Sequence, residues 1–555
     1  MRYAVFIGAL VASAGVAVAG PLSLSFLSRG SSGLYNGSAA EVPAFDPVTK
    51  RVFVVNGAIG QVDVFQMSGS GALTPAGSIP VPGVTGAGKL NSVAIRNGVL
   101  AVAANNNASN QGNGSVHFFN TASTAHLGST SVGALPDMLT FTPDGSKLLV
   151  ANEAEPNSYG QADSVDPEGS VSIVDVSFPS TGNVTIGSTS TAGFGGFNGQ
   201  AAALRAAGVR IFGTNATVAQ DLEPEYITVS ADSTKAYVTL QEANAMATID
   251  IATGTVTDIR SFGLKDHSTP GNGMDPSDRD GPGGTAAVNI REVPVHGIYQ
   301  PDAIASFVKD GQTYLITANE GDARDYVGLS EEVRVGSSSY VLDPTAFPNA
   351  SVLKNNANLG RLTVSNQTGD TDNDGDFDRI EVFGSRSFSI WTPTLTQVFD
   401  SGDDIEQLTA SLYPNNFNSN STSNSLDDRS DNKGPEPEGV TIGEVNGRTL
   451  AFICLERVGG IMMYDVSNPA MPVFLDYINT RNFSVSPSQA NLPLVGDLGP
   501  EALVFVSAAD SPTGLPLLIV GNEISGTTSV YTIVPAPGAA ALLGLAGVFA
   551  SRRRR

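Results

Sequence analysis

Pro136-Asp137-Met138 opens an apolar run, and a second run that follows it ends in Val150-Ala151-Asn152-Glu153. The same unit, an acid beside proline answered by a strand ending in Asn or Glu, returns four times: Glu223-Pro224-Glu225-Tyr226 with Thr239-Leu240-Gln241-Glu242, Pro301-Asp302-Ala303 with Thr317-Ala318-Asn319-Glu320, Glu436-Pro437-Glu438-Gly439 with Cys454-Leu455-Glu456, and Pro500-Glu501-Ala502 with Val520-Gly521-Asn522-Glu523. Two degenerate copies come first, Ala40-Glu41-Val42 with Val54-Val55-Asn56 and Asn91-Ser92-Val93 with Ala101-Val102-Ala103. Third runs follow, such as the alternating Val171-Ser172-Ile173-Val174-Asp175, and each has the length and β-branched content of a strand. Seven such units predict an all-β chain folded as a seven-bladed β-propeller. Blades of about 40–45 residues use roughly 300 residues in all, so the rest forms long loop insertions, the largest between positions 225 and 302 and between 302 and 438.

Composition agrees with many short strands. Of 555 residues only 15% are charged, 61 are Gly and 32 are Pro, which excludes a coiled coil. A formal charge of −24 repels nucleic acid and attracts cations, so no nucleic-acid partner is expected. The one cysteine, Cys454, lies in an apolar run and reads as a small buried hydrophobe.

The ends read as addresses. Arg2, the apolar run from Val5 to Ala12 and the small residues Ala17-Val18-Ala19 make residues 1–19 a secretory signal, so the protein is expected to be exported to the cell envelope or beyond. The propeller then occupies residues 20–533. Residues 534–555 join Val534-Pro535-Ala536-Pro537 to a 13-residue apolar run and four terminal arginines. That run spans about 20 Å as a helix, short of the roughly 30 Å hydrocarbon core, and the arginines favour the cytoplasmic side. The tail resembles a PEP-CTERM sorting signal, with Ala536 where that signal has Glu; contact with a membrane is expected only through this tail.

In a propeller the first strand of each blade lines the central channel. Asp137, Glu225, Asp302, Glu438 and Glu501 are therefore expected to converge, with Glu153, Glu242, Glu320, Glu456 and Glu523 beside them. Such a ring either binds cations or bonds backbone amides between blades. Lys and Arg lie against these acids: Arg324 in Glu320-Gly321-Asp322-Ala323-Arg324, Arg429 and Lys433 ahead of Glu436, and Arg457 after Glu456. They either neutralise the ring or complete a metal-and-arginine pocket for a phosphate group.

The longest insertion contains Asp370-Thr371-Asp372-Asn373-Asp374-Gly375-Asp376-Phe377-Asp378, followed by Glu381, which fits a twelve-residue calcium loop at every fixed position. Asp370, Asp372 and Asp374 would give carboxylates, Asp376 its carbonyl, Asp378 a water-mediated contact and Glu381 a bidentate close to the Ca2+ shell. The flanks read as strands rather than the helices of an EF-hand, so the ion would pin a β-hairpin connection and Glu381 either closes the shell or points away from it. The Asn/Ser-rich segment 414–424 is expected to be flexible.

The strings Leu135-Pro136-Asp137-Met138, Asp221-Leu222-Glu223-Pro224-Glu225-Tyr226, Ala318-Asn319-Glu320-Gly321-Asp322-Ala323-Arg324-Asp325-Tyr326 and Arg429-Ser430-Asp431-Asn432-Lys433-Gly434-Pro435-Glu436 resemble the choice-of-anchor I family over about residues 33–533. Ala243 departs from the family's usual Asn. The resemblance implies an envelope or secreted propeller with a variable C-terminal anchor, related to animal mesenchyme-specific cell-surface glycoproteins. Some relatives are described as atypical alkaline phosphatases or grouped near phytase-like esterases. Two functional readings follow. In the first, Glu225, Asp302, Glu320 and Glu438 hold calcium that activates water while Arg324, Arg429 or Lys433 steadies a phosphate ester, with Asp322 among the catalytic-site residues, giving a metal-dependent phosphomonoesterase. In the second, the same mouth binds a cell-surface ligand without catalysis.

Overall fold

The computed structural model describes residues 22–536; the signal at 1–19 and the tail from 537 onward lie outside them. Val534 and Pro535 are the last residues of the final strand, Thr527–Pro535. The chain is all-β, and its longest helix among the described residues is Asp404–Leu412.

Seven four-stranded antiparallel sheets form, each built from strands in chain order except the last. Their first strands are Pro43–Asp46, Leu90–Arg96, Pro136–Phe141, Pro224–Val229, Ile304–Lys309, Pro437–Val445 and Pro500–Val506. Each of these packs on the first strand of the next sheet, and Pro500–Val506 packs back on Pro43–Asp46. The last sheet takes its fourth strand from the other end of the chain. Leu22–Ser31 pairs antiparallel with Thr527–Pro535, so the two ends of the described chain are held in one hydrogen-bonded ladder. Core clusters lie between neighbouring sheets; Ile316, Phe388 and Ile390, for example, pack on Val440, Ile453 and Met462 of the next sheet. Cys454 is buried in such a layer, as expected.

The recurring Pro-acid opener has a local cause. Pro136 pairs with Asn152, after which the register slips until Leu139 meets Val150. The same slip follows Pro224, Pro437 and Pro500. A bulge frees one residue from the ladder and re-aims it, and proline is tolerated there because no ladder donor is needed. The freed residues include Asp137, Glu225, Glu438 and Glu501. The residue before the proline is left-handed in three copies without the excuse of glycine: Leu135 (φ 45), Gln300 (φ 40) and Glu436 (φ 50). A hydrogen bond holds this turn, because the amide of the acid that ends the second strand donates to that residue's carbonyl: Glu153 to Leu135 at 2.9 Å and Glu456 to Glu436 at 2.9 Å. The two acids of a unit are thereby fixed side by side.

Insertions account for the remaining chain. Residues 262–303 and 319–387 pair with each other through the three-stranded sheet Leu264–Asp266, His296–Ile298 and Glu381–Phe383. The segment 414–424, expected to be flexible, is instead packed. Phe417, Asn418 and Ser419 are fully buried, the Asn418 amide donates to Glu406 Oε1 at 2.8 Å, and Arg481 Nη2 donates to the carbonyls of Asn420 and Ser423. Its polar side chains serve as internal hydrogen-bond partners, which composition alone does not reveal.

Candidate functional site

The bulged acids converge. A cavity of about 540 Å3 is lined by six carboxylate residues, Glu41, Asp137, Glu153, Glu155, Asp302 and Glu501, and no Lys, Arg or His of the described residues lines it. Beside it Glu153, Glu225 and Glu242 bring one carboxylate oxygen each to within 4.8 Å of one another. Burial, then mutual repulsion, pushes these groups up: Glu225 by Glu153 and Glu242, Asp302 by Glu320 and Asp137, and Glu438 by Glu320 and Glu501, all well above the usual carboxylate range. Asp137 and Glu242 are each pushed to about 7, chiefly by burial. Glu242 Oε2 and Glu438 Oε2 are buried and have no hydrogen-bond partner among the described residues.

The cations stand elsewhere around the ring, and each is already paired. Of the two readings for Arg324, neutralising acids or facing a phosphate, the contacts match the first: its side chain is 0% exposed, with Nε and Nη2 donating to Glu223 Oε2 at 3.2 and 3.1 Å and Nη2 also donating to the Asp221 carbonyl at 2.7 Å. It packs on Phe212, 4.9 Å from the ring centre, and no incoming ligand reaches it. Arg429 binds Glu436 Oε1 through Nη2 at 2.5 Å and Nε at 2.9 Å. Lys433 Nζ lies 2.8 Å from Glu320 Oε1, 3.3 Å from Glu436 Oε2 and 3.5 Å from Asp322 Oδ1. Arg457 joins Glu436 Oε2 at 2.8 Å and Glu456 Oε1 at 2.7 Å. Against the upward push of burial, Lys433, Arg457 and Arg429 hold Glu436 well below the usual carboxylate range. The ring thus has a neutralised arc around Glu320, Glu436 and Glu456 and an unneutralised arc around Glu153, Glu225 and Glu242, where no direct ion pair forms among the described residues and Arg324 acts on Glu242 only through space.

The acidic loop in the long insertion divides into two groups. Asp370, Asp372 and Asp374 bring oxygens within 4.8 Å, and so do Asp376, Asp378 and Asp343, the last of which the loop pattern did not include. Asp370 accepts from the amides of Asn373 at 2.7 Å and Gly375 at 3.1 Å, and Gly375 has the positive φ, 101°, that the turn requires. Glu381 does not belong with these oxygens. It lies in the strand Glu381–Phe383, 2% exposed, held by the Thr368 hydroxyl at 2.5 Å and Arg379 Nη2 at 2.9 Å. Strand geometry turns it away from the loop, and the expected bidentate closure is corrected accordingly. Calcium binding at Asp370, Asp372 and Asp374 is expected to raise the melting temperature, adding about 2.7 kcal/mol at a hundredfold excess over the dissociation constant. Asp370→Ala with Asp374→Ala should remove that increment in a thermal-shift titration, and an unchanged increment would place the ion elsewhere.

A family model for the choice-of-anchor I domain matches residues 41–469. The chain belongs to the choice-of-anchor I family. Gigasin-3a of Magallana gigas is 31% identical over 190 residues, covering 33% of this chain and 66% of that protein. A mesenchyme-specific cell surface glycoprotein of Strongylocentrotus purpuratus is 27% identical over 348 residues, covering 57% of this chain and 44% of that protein. The chain therefore spans just under two thirds of the first relative and less than half of the second. Among solved structures, a Kuenenia stuttgartiensis hydrazine synthase chain aligns with TM-score 0.42 at 12% identity over 90% of this chain and 97% of that one. The Myceliophteria thermophila Cps50 (Swd1) β-propeller domain aligns with TM-score 0.41 at 7% identity over 91% of this chain and 100% of that one. No helix among the described residues is long and apolar enough to cross a membrane.

Proposed function

We propose that this choice-of-anchor I protein is an exported, surface-displayed seven-bladed propeller that holds calcium at its acid-lined mouth and acts as a binding module. Seven four-stranded sheets whose first strands follow one another in a cycle support the blade count. The surface location rests on the family and on the cell-surface name of one relative. The observation that carries the cation is the unneutralised arc: Glu153, Glu225 and Glu242 crowd within 4.8 Å with a partnerless Glu242 oxygen, in a chain whose nearby arginines are spent on other acids. Hard carboxylate oxygens at this spacing suit Ca2+.

The phosphoesterase reading has less support from the same geometry. It needs a cation free to meet a phosphate, and Arg324, Arg429, Lys433 and Arg457 are all paired with carboxylates. The test has two arms. Calorimetric calcium titration of the purified protein should lose one class of sites in Glu225→Gln with Glu242→Gln, and retention of every site would sink the arc as the cation site. Hydrolysis of a chromogenic phosphate monoester should stay at background across calcium, magnesium and zinc. Chelator-sensitive turnover lost in Glu225→Gln would restore the enzyme reading.

A further inference from the structure

A second cleft, of about 600 Å3, has the opposite charge. Its walls carry Arg205, Arg379, His296 and Arg210, the last already paired with the buried Glu331, against one lining carboxylate, Glu381, in a chain with only 30 Lys and Arg to 54 Asp and Glu. It lies between the insertion ahead of Pro224 and the three-stranded sheet of the later insertions, and Arg210 links it to the ring through the Glu242 carbonyl at 2.6 Å.

Three buried nitrogens and one carboxylate oxygen in these walls have no hydrogen-bond partner among the described residues: Arg379 Nε, Arg210 Nε, His296 Nδ1 and Glu381 Oε1. An unpaired buried guanidinium N–H costs about 1–3 kcal/mol or more, so Arg379 Nε calls for an acceptor from outside the chain, whereas His296 Nδ1 donates in one tautomer only and Arg210 already holds Glu331 and the Glu242 carbonyl. His296 and Glu381 are partners in the parallel strand pair and present neighbouring side chains. Asp266, paired with His296 in register, is a second carboxylate near the cleft; its Oδ1 accepts from the Ser268 amide at 2.8 Å and hydroxyl at 2.6 Å, and its charge acts on His296. Arg379 already grips one carboxylate edge, Glu381 Oε1, through Nη2 at 2.9 Å. A guanidinium offers a planar fork that a carboxylate matches with two parallel bonds. Phe212 and Leu264 add apolar wall.

We propose that this cleft binds a small organic carboxylate with an apolar body, its carboxylate received by Arg379 and Arg205 and its body lying along Phe212 and Leu264. Glu381 then competes with the ligand for Arg379, which sets the sign of one test. The probe is 3-phenylpropanoate, titrated calorimetrically into the full-length protein, with 3-phenylpropanol as the uncharged control and phenyl sulfate as the alternative oxyanion. The alcohol should bind at least about tenfold more weakly than the acid, and Arg379→Ala and Arg205→Ala should each weaken the acid by about tenfold. Glu381→Gln should tighten it severalfold, an effect that a merely damaged cleft does not produce. The proposal fails if the folded parent takes up no acid at about 10 mM, if the alcohol binds as well, if Glu381→Gln weakens binding, or if phenyl sulfate binds in preference to the carboxylate.

Discussion

Replacing Arg324 with methionine is expected to destabilise the protein by about 3–5 kcal/mol, the cost of leaving buried carboxylates without their cation. Its side chain and those of Asp221 and Glu223 are all 0% exposed, so water cannot screen the charge that remains. The loss also removes packing: Arg210 and Arg324 each place a guanidinium 4.9 Å from the centre of the Phe212 ring. Arg429→Met should cost much less, because Glu436 keeps Lys433 and Arg457. Adding Glu223→Gln to Arg324→Met should recover part of the loss, since the pair would then be removed together. Urea midpoints of the three variants test this. An Arg324→Met protein as stable as its parent would show that the guanidinium is not the structural partner of Glu223.

The repeat was legible because its cause is local. A proline and an acid mark the bulge that opens each inner strand, and Asn or Glu marks the end of the second, so the sequence carries both halves of the turn that brings two carboxylates together. Partners far along the chain were not legible. Arg324 sits among Glu320, Asp322 and Asp325, and local reading pairs it there, yet it binds Asp221 and Glu223 about a hundred positions earlier. Leu22–Ser31 alternates as a strand should, but its partner at the far end of the chain leaves no mark near it. Glu381 fits the calcium spacing while its strand-like flank argues against it, and the pairing of Glu381–Phe383 with His296–Ile298 places the residue on a different surface. Spacing alone could not tell a loop ligand from a strand residue three positions beyond the loop.

Stability without calcium is expected to fall as pH rises from about 4.5 to about 7.5, and calcium is expected to abolish that fall. The sign follows from the raised ring acids. Asp137 and Glu242 titrate near 7 in the folded chain, against ordinary values near 4 when unfolded, and burial is the main cause. Between those values the folded state keeps protons that the unfolded state has released, so each step up in pH favours unfolding; below the unfolded value the two states are protonated alike and the penalty vanishes. Glu436, shifted the opposite way by Lys433, Arg457 and Arg429, contributes stability that is present above its unfolded value and is lost only in stronger acid, so it does not cancel the effect in this window. Calcium held at the mouth as proposed would replace protons as the neutralising charge and stabilise the folded state, so it should restore stability where the carboxylates are ionised. Melting curves in chelator should drop by at least about 5 °C across the window and flatten in millimolar calcium. The Glu225→Gln, Glu242→Gln protein should show a smaller drop in chelator and a smaller calcium gain at pH 7.5. A chelated parent more stable at pH 7.5 than at pH 5 would mean that the ring acids are held charged by partners within the chain, and the cation site at the mouth would fall with that result.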